Sequence, residues 1–302
     1  MIYTVTLNPA IDYTVYTDKL LRGEINRSNG ERFFFGGKGI NVSNVLKNLG
    51  IESVSRGFTA GFTGRAIEEY LADRGIKSDF VHLKEGFTRI NIKLREGVET
   101  DINTSGPLIE GEYINRLFEK IDRLCEGDYL VLSGSVPKSM PSDTYGTILE
   151  RVAKKGVRAV VDAEGDLLAR SVRYNPFLIK PNTDELGKLF GITVDGVDTA
   201  EKYARKLKDT GAENVLVSMG EKGALLIDSE GKRHYSSAHS GKTVNTVGAG
   251  DSMVAGFIAG FEKYKHYGQA LRLGTAAGSA TAFCEGLADG EQIYRLFDGP
   301  VA

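Results

Sequence analysis

Short, almost entirely apolar runs alternate along this chain with segments of helical periodicity, and that alternation limits the possible folds most strongly. A strand that reads as a continuous apolar run is buried on both faces, as in parallel sheets covered by helices. The alternation therefore predicts an α/β fold with a mostly parallel sheet and helices on both faces. The apolar runs are 2–7, 129–132, 159–161, 177–179 and 215–217, and the helical segments lie near 39–49, 64–75, 112–125, 143–154, 183–190 and 199–210.

Two further segments, 11–15 and 89–94, alternate apolar and polar residues. Clean alternation is typical of strands that bury only one face. We therefore expect a small second sheet outside the main one, covering another part of the molecule, with an apolar outer face that suits a subunit contact. No fixed-period repeat and no Ser-, Gly- or Pro-rich linker divides the chain, so residues 1–302 are expected to form a single domain.

Small, polar or charged residues follow each of the apolar runs. In open α/β sheets, ligands bind beyond the carboxyl ends of the strands. Because all these endings fall on one predicted edge of the sheet, we expect a binding site there. The segments concerned are 8–12, 133–135, 162–164, 180–185 and 218–223.

Glycine accounts for 37 of the 302 residues, well above the roughly 7% of average proteins. Two glycine-rich turns each precede a helix: GGKGIN at 36–41 and TVGAGDS at 246–252. Neither fits the G-x-x-x-x-G-K-[ST] of a P-loop or the G-x-G-x-x-G of a dinucleotide site. Exposed N–H groups at a helix start form an anion site where no Cβ intervenes. Glycines that only permit a tight turn would leave the same pattern.

Asp251 lies in the first turn of the second of these helices. A carboxylate there is favoured by the helix dipole, so a capping role is one interpretation. Beside an anion site, however, it would repel phosphate unless it takes a proton from an attacking hydroxyl. Phosphoryl transfer needs a positioned nucleophile, charge stabilisation and Mg²⁺. Residues 248–251 could supply both the amides and the base.

Composition excludes several other classes of protein. The 38 basic and 40 acidic residues give a net charge of −2 without a basic block, so neither nucleic acid nor an anionic membrane is an expected partner. Cys125 and Cys284 lie far apart, and no histidine pair has metalloprotease spacing, which argues against a zinc site or a disulfide framework. The N-terminus does not read as a signal peptide, and no apolar run approaches the ~18 residues of a membrane span. We expect a cytoplasmic protein.

The motifs GGKGIN and NTVGAGDS together resemble the two signatures of the ribokinase-like (PfkB) carbohydrate kinases. The likeness extends over nearly the whole chain, with TLNPAID, FTRINIK, LVLSGSVP, FLIKPNTDEL and VLVSMGEKGALL in order. It implies a three-layer α/β/α sandwich with a discontinuous β lid from about 11–35 and 88–104. Such a lid would close over the sugar and exclude water. Lids of this family often pair between subunits, so a homodimer is expected.

The resemblance also implies an activity: ATP-dependent phosphorylation of the C6 hydroxyl of fructose 1-phosphate, giving fructose 1,6-bisphosphate and ADP. Asp251 would be the catalytic base, with an anion hole formed by Gly248, Ala249 and Gly250. Sugar hydroxyls would be held by Asp12, Gly37 and Asn41, and the substrate phosphate by Arg27, Lys38, Ser135 and, as the best candidate, Arg89. ATP would be bound by Lys180, Ser218, Gly220, Gly223 and Ser279, and Mg²⁺ through water by Asn182 and Glu185.

Three alternatives to this activity remain open at the level of sequence. Sister enzymes on the same scaffold phosphorylate tagatose 6-phosphate or fructose 6-phosphate, and a non-catalytic nucleotide or sugar-phosphate sensor could share the fold. The motif at 245–250 favours fructose 1-phosphate. Two departures from the family pattern, VPKS at 136–139 and DAEG at 162–165, fall near the predicted sugar pocket.

Overall fold

A long central sheet dominates the computed structural model, which describes residues 1–97 and 99–299. Position 98, inside the predicted lid, and residues 300–302 of the predicted domain lie outside the described residues. The strands are β1 (Ile2–Thr6), β2 (Ala10–Tyr16), β3 (Gly30–Gly36), β4 (Ser53–Ala60), β5 (Lys77–Ser78), β6 (Val81–Leu83), β7 (Arg89–Arg95), β8 (Glu99–Ile102), β9 (Tyr129–Ser133), β10 (Arg158–Asp162), β11 (Leu178–Ile179), β12 (Val215–Ser218), β13 (Ala224–Ile227) and β14 (Arg233–Ser236).

The central sheet has the strand order β14-β13-β12-β11-β10-β9-β1-β4-β5, with β6 paired to β4. All pairs from β12 to β5 are parallel, whereas β13 and β14 add an antiparallel edge. The predicted mostly parallel sheet is therefore confirmed. Its carboxyl ends share one edge because parallel strands that are joined by helical crossovers all point the same way.

Helices cover both faces of this sheet. They are α1 (Lys38–Asn48), α2 (Gly61–Asp73), α3 (Gly111–Asp122), α4 (Thr144–Val152), α5 (Gly165–Val172), α6 (Thr183–Phe190), α7 (Val197–Asp209), α8 (Ala249–Tyr264), α9 (Tyr267–Ala282) and α10 (Gly290–Asp298), with a short 3₁₀ turn at Gly220–Lys222. Apolar residues of α3 to α7 form a core against one face, and those of α1, α8, α9 and α10 form a second core against the other. The predicted three-layer sandwich is confirmed. None of the helices in the described part of the chain is both long and apolar enough to cross a membrane.

A four-stranded second sheet, which we call the lid, has the order β3-β2-β7-β8. Strands β2 and β7 are parallel, and the two outer pairs are antiparallel. One face carries Ile11, Phe35 and Ile90 into a small apolar cluster with residues of α1 and α2, including Ile40 and Leu71. The opposite face carries polar residues toward the edge of the main sheet.

Small residues bring α8 and α9 into close contact. A Cβ on Gly256 would lie 2.6 Å from the carbonyl oxygen of Leu273 and 2.9 Å from the Cβ of Ala277. A Cβ on Gly274 would in turn lie 2.9 Å from the carbonyl oxygen of Met253. The backbones therefore touch directly, so the start of α8 is held firmly in place.

We predict that Gly256→Leu lowers the free energy of unfolding by about 3 kcal/mol, because the added side chain must force the two helices apart. Urea denaturation measures the change. The matched control is Gly111→Leu at the start of α3, where no atom lies within 4 Å of an added Cβ. Equal unfolding midpoints for the two variants would contradict this description of the α8–α9 contact.

Candidate active site

A cavity of about 730 Å³ lies between the carboxyl edge of the main sheet and the polar face of the lid. Thr6 at the end of β1 and Ser133 at the end of β9 line it from below, and Arg89 and Asn91 line it from the lid. The cavity thus occupies the edge at which the strand endings predict a site. Of the residues expected to bind substrate, it is lined by Gly37, Lys38, Arg89 and Ser135.

The remaining expected substrate residues differ in their relation to the cavity. Asp12 lies one contact away, because its Oδ1 accepts a 2.7 Å hydrogen bond from the Nδ2 of Asn91. Asn41 contacts Asp251 instead. Arg27 is exposed in the connection between β2 and β3, where only its backbone carbonyl accepts a hydrogen bond, from Thr17. The structure therefore does not place Arg27 among the residues that line the cavity of its own chain.

The first glycine-rich turn packs tightly against β1. Gly37 has a φ of 128°, and a Cβ there would lie 2.5 Å from the Cγ2 of Thr6. This close approach presents the next residue, Lys38, to the cavity, with its Nζ 3.7 Å from Asp162 Oδ1 and 3.9 Å from Glu164 Oε1. Burial lowers the pKa of Lys38, but the surrounding carboxylates, led by Asp162, outweigh burial and raise it overall. Lys38 is therefore a permanent cation.

Asp251 is buried in the first turn of α8, where its Oδ2 accepts a 2.8 Å hydrogen bond from the Nδ2 of Asn41. Burial and the nearby charge of Asp162 raise the pKa of Asp251 to about 6. The Asn41 hydrogen bond and the ammonium groups of Lys38 and Lys180 oppose that shift. A carboxylate with a pKa near 6 is ionised at neutral pH and is still basic enough to accept a proton, which is the requirement for a general base.

The start of α8 presents free donors beside Asp251. Gly248, with a φ of 82°, begins the turn, and its carbonyl accepts the first helical bond from Ser252 at 2.8 Å. Within the described residues, no backbone acceptor pairs with the N–H of Gly250 or Asp251. A Cβ on Gly250 would lie 3.2 Å from the Nζ of Lys180, so the missing side chain admits this ammonium group. Helix N–H groups and a lysine together form an anion site.

Lys180 follows β11 and is itself buried, so its charge needs a partner. Asp162 supplies one, with Oδ1 3.2 Å from the Nζ of Lys180. The N-x-x-E pair nearby forms a reciprocal capping box on α6: Asn182 Oδ1 accepts from the Glu185 N–H, and Glu185 Oε2 accepts from the Asn182 N–H, both at 2.8 Å. Burial raises the pKa of Glu185 despite this bond.

The other residues expected to bind ATP are connected by a short series of contacts. Ser218 ends β12 and bridges to Asn182, and the 3₁₀ turn that contains Gly220 follows it. Gly223 has no room for a Cβ because the carbonyl of Ser236 occupies that position. Ser279 on α9 accepts a 3.3 Å hydrogen bond from the N–H of His239. The segment that follows β14 therefore contacts both Gly223 and Ser279.

Several residues of the site were not among the sequence-based candidates. They include Asn8, Asn91 and Arg170, which line the cavity, and Asp162, which pairs with both lysines. Asp162 carried a usable signal, since it follows a buried strand at the predicted edge. Arg170 carried none, because a single arginine in a helical segment is indistinguishable from surface charge.

Comparisons with known proteins identify the family of the chain. The model of the pfkB family carbohydrate kinases matches residues 4–293. The chain belongs to the PfkB family. Among curated relatives of this PfkB kinase, a 1-phosphofructokinase of Bacillus subtilis is 45% identical, covering 98% of this chain and 97% of the relative. A D-tagatose-1-phosphate kinase of Bacillus licheniformis is 40% identical, covering 96% and 95%. The phosphofructokinase-2 of Escherichia coli, solved with fructose-6-phosphate, superposes with a TM-score of 0.90 at 29% identity, covering 98% of each chain.

We predict that, with Asp251 acting as the expected general base, the acid limb of kcat/KM of this PfkB kinase lies near pH 6, where this carboxyl loses its proton. Asn41→Ala removes a hydrogen bond to the carboxylate, so the limb should move to higher pH. Asp162→Asn removes a negative charge, so the limb should move to lower pH. The pH profiles of both variants measure these shifts, and displacement of both limbs in the same direction would contradict the assigned causes.

Proposed function

We propose that this PfkB kinase transfers the γ-phosphoryl group of ATP to the C6 hydroxyl of fructose 1-phosphate, giving fructose 1,6-bisphosphate and ADP. The observation that carries the proposal is the buried carboxyl of Asp251, with a pKa of about 6, beside free helix N–H groups and Lys180. A 1-phosphofructokinase that is 45% identical over nearly the whole chain supports the choice of substrate.

In the proposed reaction, Asp251 accepts the proton of the C6 hydroxyl while the C6 oxygen of the sugar attacks the γ-phosphorus. The bond from that phosphorus to the bridging oxygen breaks, and the electron pair leaves with ADP. The N–H groups of Gly250 and Asp251, with Lys180, stabilise the negative charge of the transferring group. Asn41 holds the Asp251 carboxylate in position through its 2.8 Å hydrogen bond.

The sugar would lie in the cavity under the lid. Asp12, fixed by Asn91, would accept hydrogen bonds from sugar hydroxyls. The 1-phosphate would lie at the far end from Asp251 and be held by Arg89, Lys38 and Ser135. Burial lowers the pKa of Arg89, but an arginine remains charged at neutral pH. With the sugar bound, the lid would exclude water and so limit hydrolysis of ATP.

The nucleotide would lie along Ser218, Gly220, Gly223 and Ser279, with its phosphates toward Lys180. Mg²⁺ usually binds to one or two carboxylates and to substrate phosphates, and it keeps several waters. Glu185 fits this role through water, because only one carboxylate oxygen, Oε2, is occupied by its own helix cap. Asn182 would orient that carboxylate. When bound, the ion would neutralise charge on the phosphates.

D-tagatose 1-phosphate is the second candidate substrate, because a relative named for it is 40% identical over most of the chain. Tagatose differs from fructose only in the configuration at C4, so both 1-phosphates would present the same C6 hydroxyl to Asp251. Tagatose 6-phosphate and fructose 6-phosphate carry phosphate on C6 and would have to react at C1. A sensor without activity would need neither the raised pKa of Asp251 nor the adjoining anion site.

The test is an ADP-release assay with Mg-ATP that compares kcat/KM for the 1-phosphates and the 6-phosphates of fructose and tagatose. We expect fructose 1-phosphate to give the highest value. We expect Asp251→Asn to lower kcat by about 10³-fold or more while ATP binding persists, and the exposed control Asp73→Asn to be unchanged. A clear preference for either 6-phosphate, or near-normal turnover by Asp251→Asn, would overturn the proposal.

We also propose that two copies of the chain pair through their lids. Phe33, Tyr13, Ile92 and Ile102 form one row across the four lid strands. The rings of Tyr13 and Phe33 stack with centroids 4.6 Å apart, yet Phe33 is 58% exposed and Ile102 is 50% exposed. A continuous apolar row open to water favours burial against a second copy.

We predict that Phe33→Asp converts a wild-type dimer into a monomer, because the carboxylate would be buried without a partner at the lid contact. Sedimentation velocity measures the change. The control is Tyr235→Asp on β14, an exposed aromatic on the far edge of the main sheet, which should leave the dimer intact. A wild-type protein that sediments as a monomer would contradict the pairing.

A further inference from the structure

The two cations Lys38 and Arg89, which line the cavity, differ in whether a carboxylate compensates their charge. Lys38 is shared between Asp162 and Glu164, so much of its charge is already compensated. Arg89 donates only to backbone carbonyls, from Nε to Asn8 at 3.2 Å and from Nη1 to Thr104 at 3.5 Å. It keeps a full positive charge and free donors. A second cation of that kind would balance the remaining charge of a sugar phosphate dianion.

Arg170 is a second cation at this cavity. It lies on α5 and lines the same cavity, together with Asp166 and Leu167 of the same helix face. Among the described residues, none forms a hydrogen bond, an ion pair or a ring contact with Arg170. Even Asp166, one helical turn earlier, is not ion-paired with it. By contrast Arg173, at the end of α5, donates to the hydroxyl of Tyr174 at 3.1 Å.

We infer that Arg170 binds the phosphate group of the sugar phosphate from the sheet side of the cavity, while Arg89 binds it from the lid. This inference rests on the proposed function and adds a residue to the substrate site. A guanidinium group can present two parallel donors to one phosphate, so two arginines can neutralise the dianion and saturate its oxygens. An unpaired arginine at a cavity wall pays no cost of breaking a previous ion pair.

The placement of these two arginines has a consequence for specificity. Arg89 is the first residue of β7 in the lid, whereas Arg170 belongs to a helix packed on the main sheet. A phosphate bound by both connects the lid to the main sheet. A ketohexose without a phosphate makes no such connection, so it leaves the lid less firmly closed. Arg170 therefore selects for the phosphorylated sugar.

The experiment compares Arg170→Ala, Arg170→Lys and the matched control Arg173→Ala in steady-state kinetics with fructose 1-phosphate and ATP. We expect Arg170→Ala to raise KM for the sugar phosphate about 10- to 100-fold, the loss of charge-assisted hydrogen bonds. The kcat and the KM for ATP should change less than about 3-fold, since Asp251 and the residues proposed to bind ATP are untouched. Arg170→Lys should recover part of the loss, and Arg173→Ala should behave as wild type.

The possible outcomes separate this inference from the proposed function. Unchanged KM for fructose 1-phosphate in Arg170→Ala, with an active wild type, overturns the role of Arg170 alone. A fall in kcat together with a rise in both KM values indicates general damage and also overturns it. The same rise in the sugar-phosphate KM in Arg173→Ala does so too. A wild type that phosphorylates neither ketohexose 1-phosphate overturns the proposed function, and with it this inference. A selective rise in the sugar-phosphate KM supports it.

Discussion

The arrangement of the candidate active site depends on the ion pairs that Asp162 forms with Lys180 and Lys38. This buried carboxylate lies 3.2 Å from the ammonium of Lys180 and 3.7 Å from that of Lys38. A buried charge is tolerated when an oppositely charged group lies beside it. One lysine follows β11 and the other begins α1, so a single carboxylate oxygen brings together a residue proposed to bind the sugar phosphate and one proposed to bind ATP. The same charge also raises the pKa of Asp251.

Much of the fold follows from patterns within short stretches of chain. Each predicted helix is present, and helix ends differ from the expected ones by at most three residues. Segment 183–190 agrees in full because its capping box and the left-handed Gly191 define both ends locally. Strand β4 escaped prediction because it is polar, with Ser53 and Ser55 in its first half. Their hydroxyls bond to Ser43, which also contacts Thr4, so the sheet buries them fully satisfied. No local pattern reveals a partner that comes from a distant helix.

The candidate site also contains features that the sequence predicts and features that it does not. The sequence predicts the location of the site at the carboxyl edge, because apolar runs and the polar residues after them indicate where strands end. It also predicts the glycine turns at Gly37 and Gly250, because the glycines themselves are visible. The pairing of Asp162 with Lys180, the bond from Asn41 to Asp251 and the exposure of Arg170 in the cavity were not predictable. Each depends on elements far apart in the chain that only the packed sheet brings together. The roles of these residues stay predictions until the variants are measured.

The apolar cluster between the lid and α1 has a consequence for the position of Asn41. Ile11 and Ile90 of the lid pack with Ile40 of α1, and Ile40 immediately precedes Asn41, the residue that holds the Asp251 carboxylate. Each lid segment begins after a strand of the main sheet and ends before a helix, since β2 follows β1 and β7 follows β6, whereas β3 leads to α1 and β8 leads to α3. The helix that carries Asn41 therefore shares its apolar packing with the lid. A substitution that loosens this packing would therefore disturb both the lid and the hydrogen bond from Asn41 to Asp251.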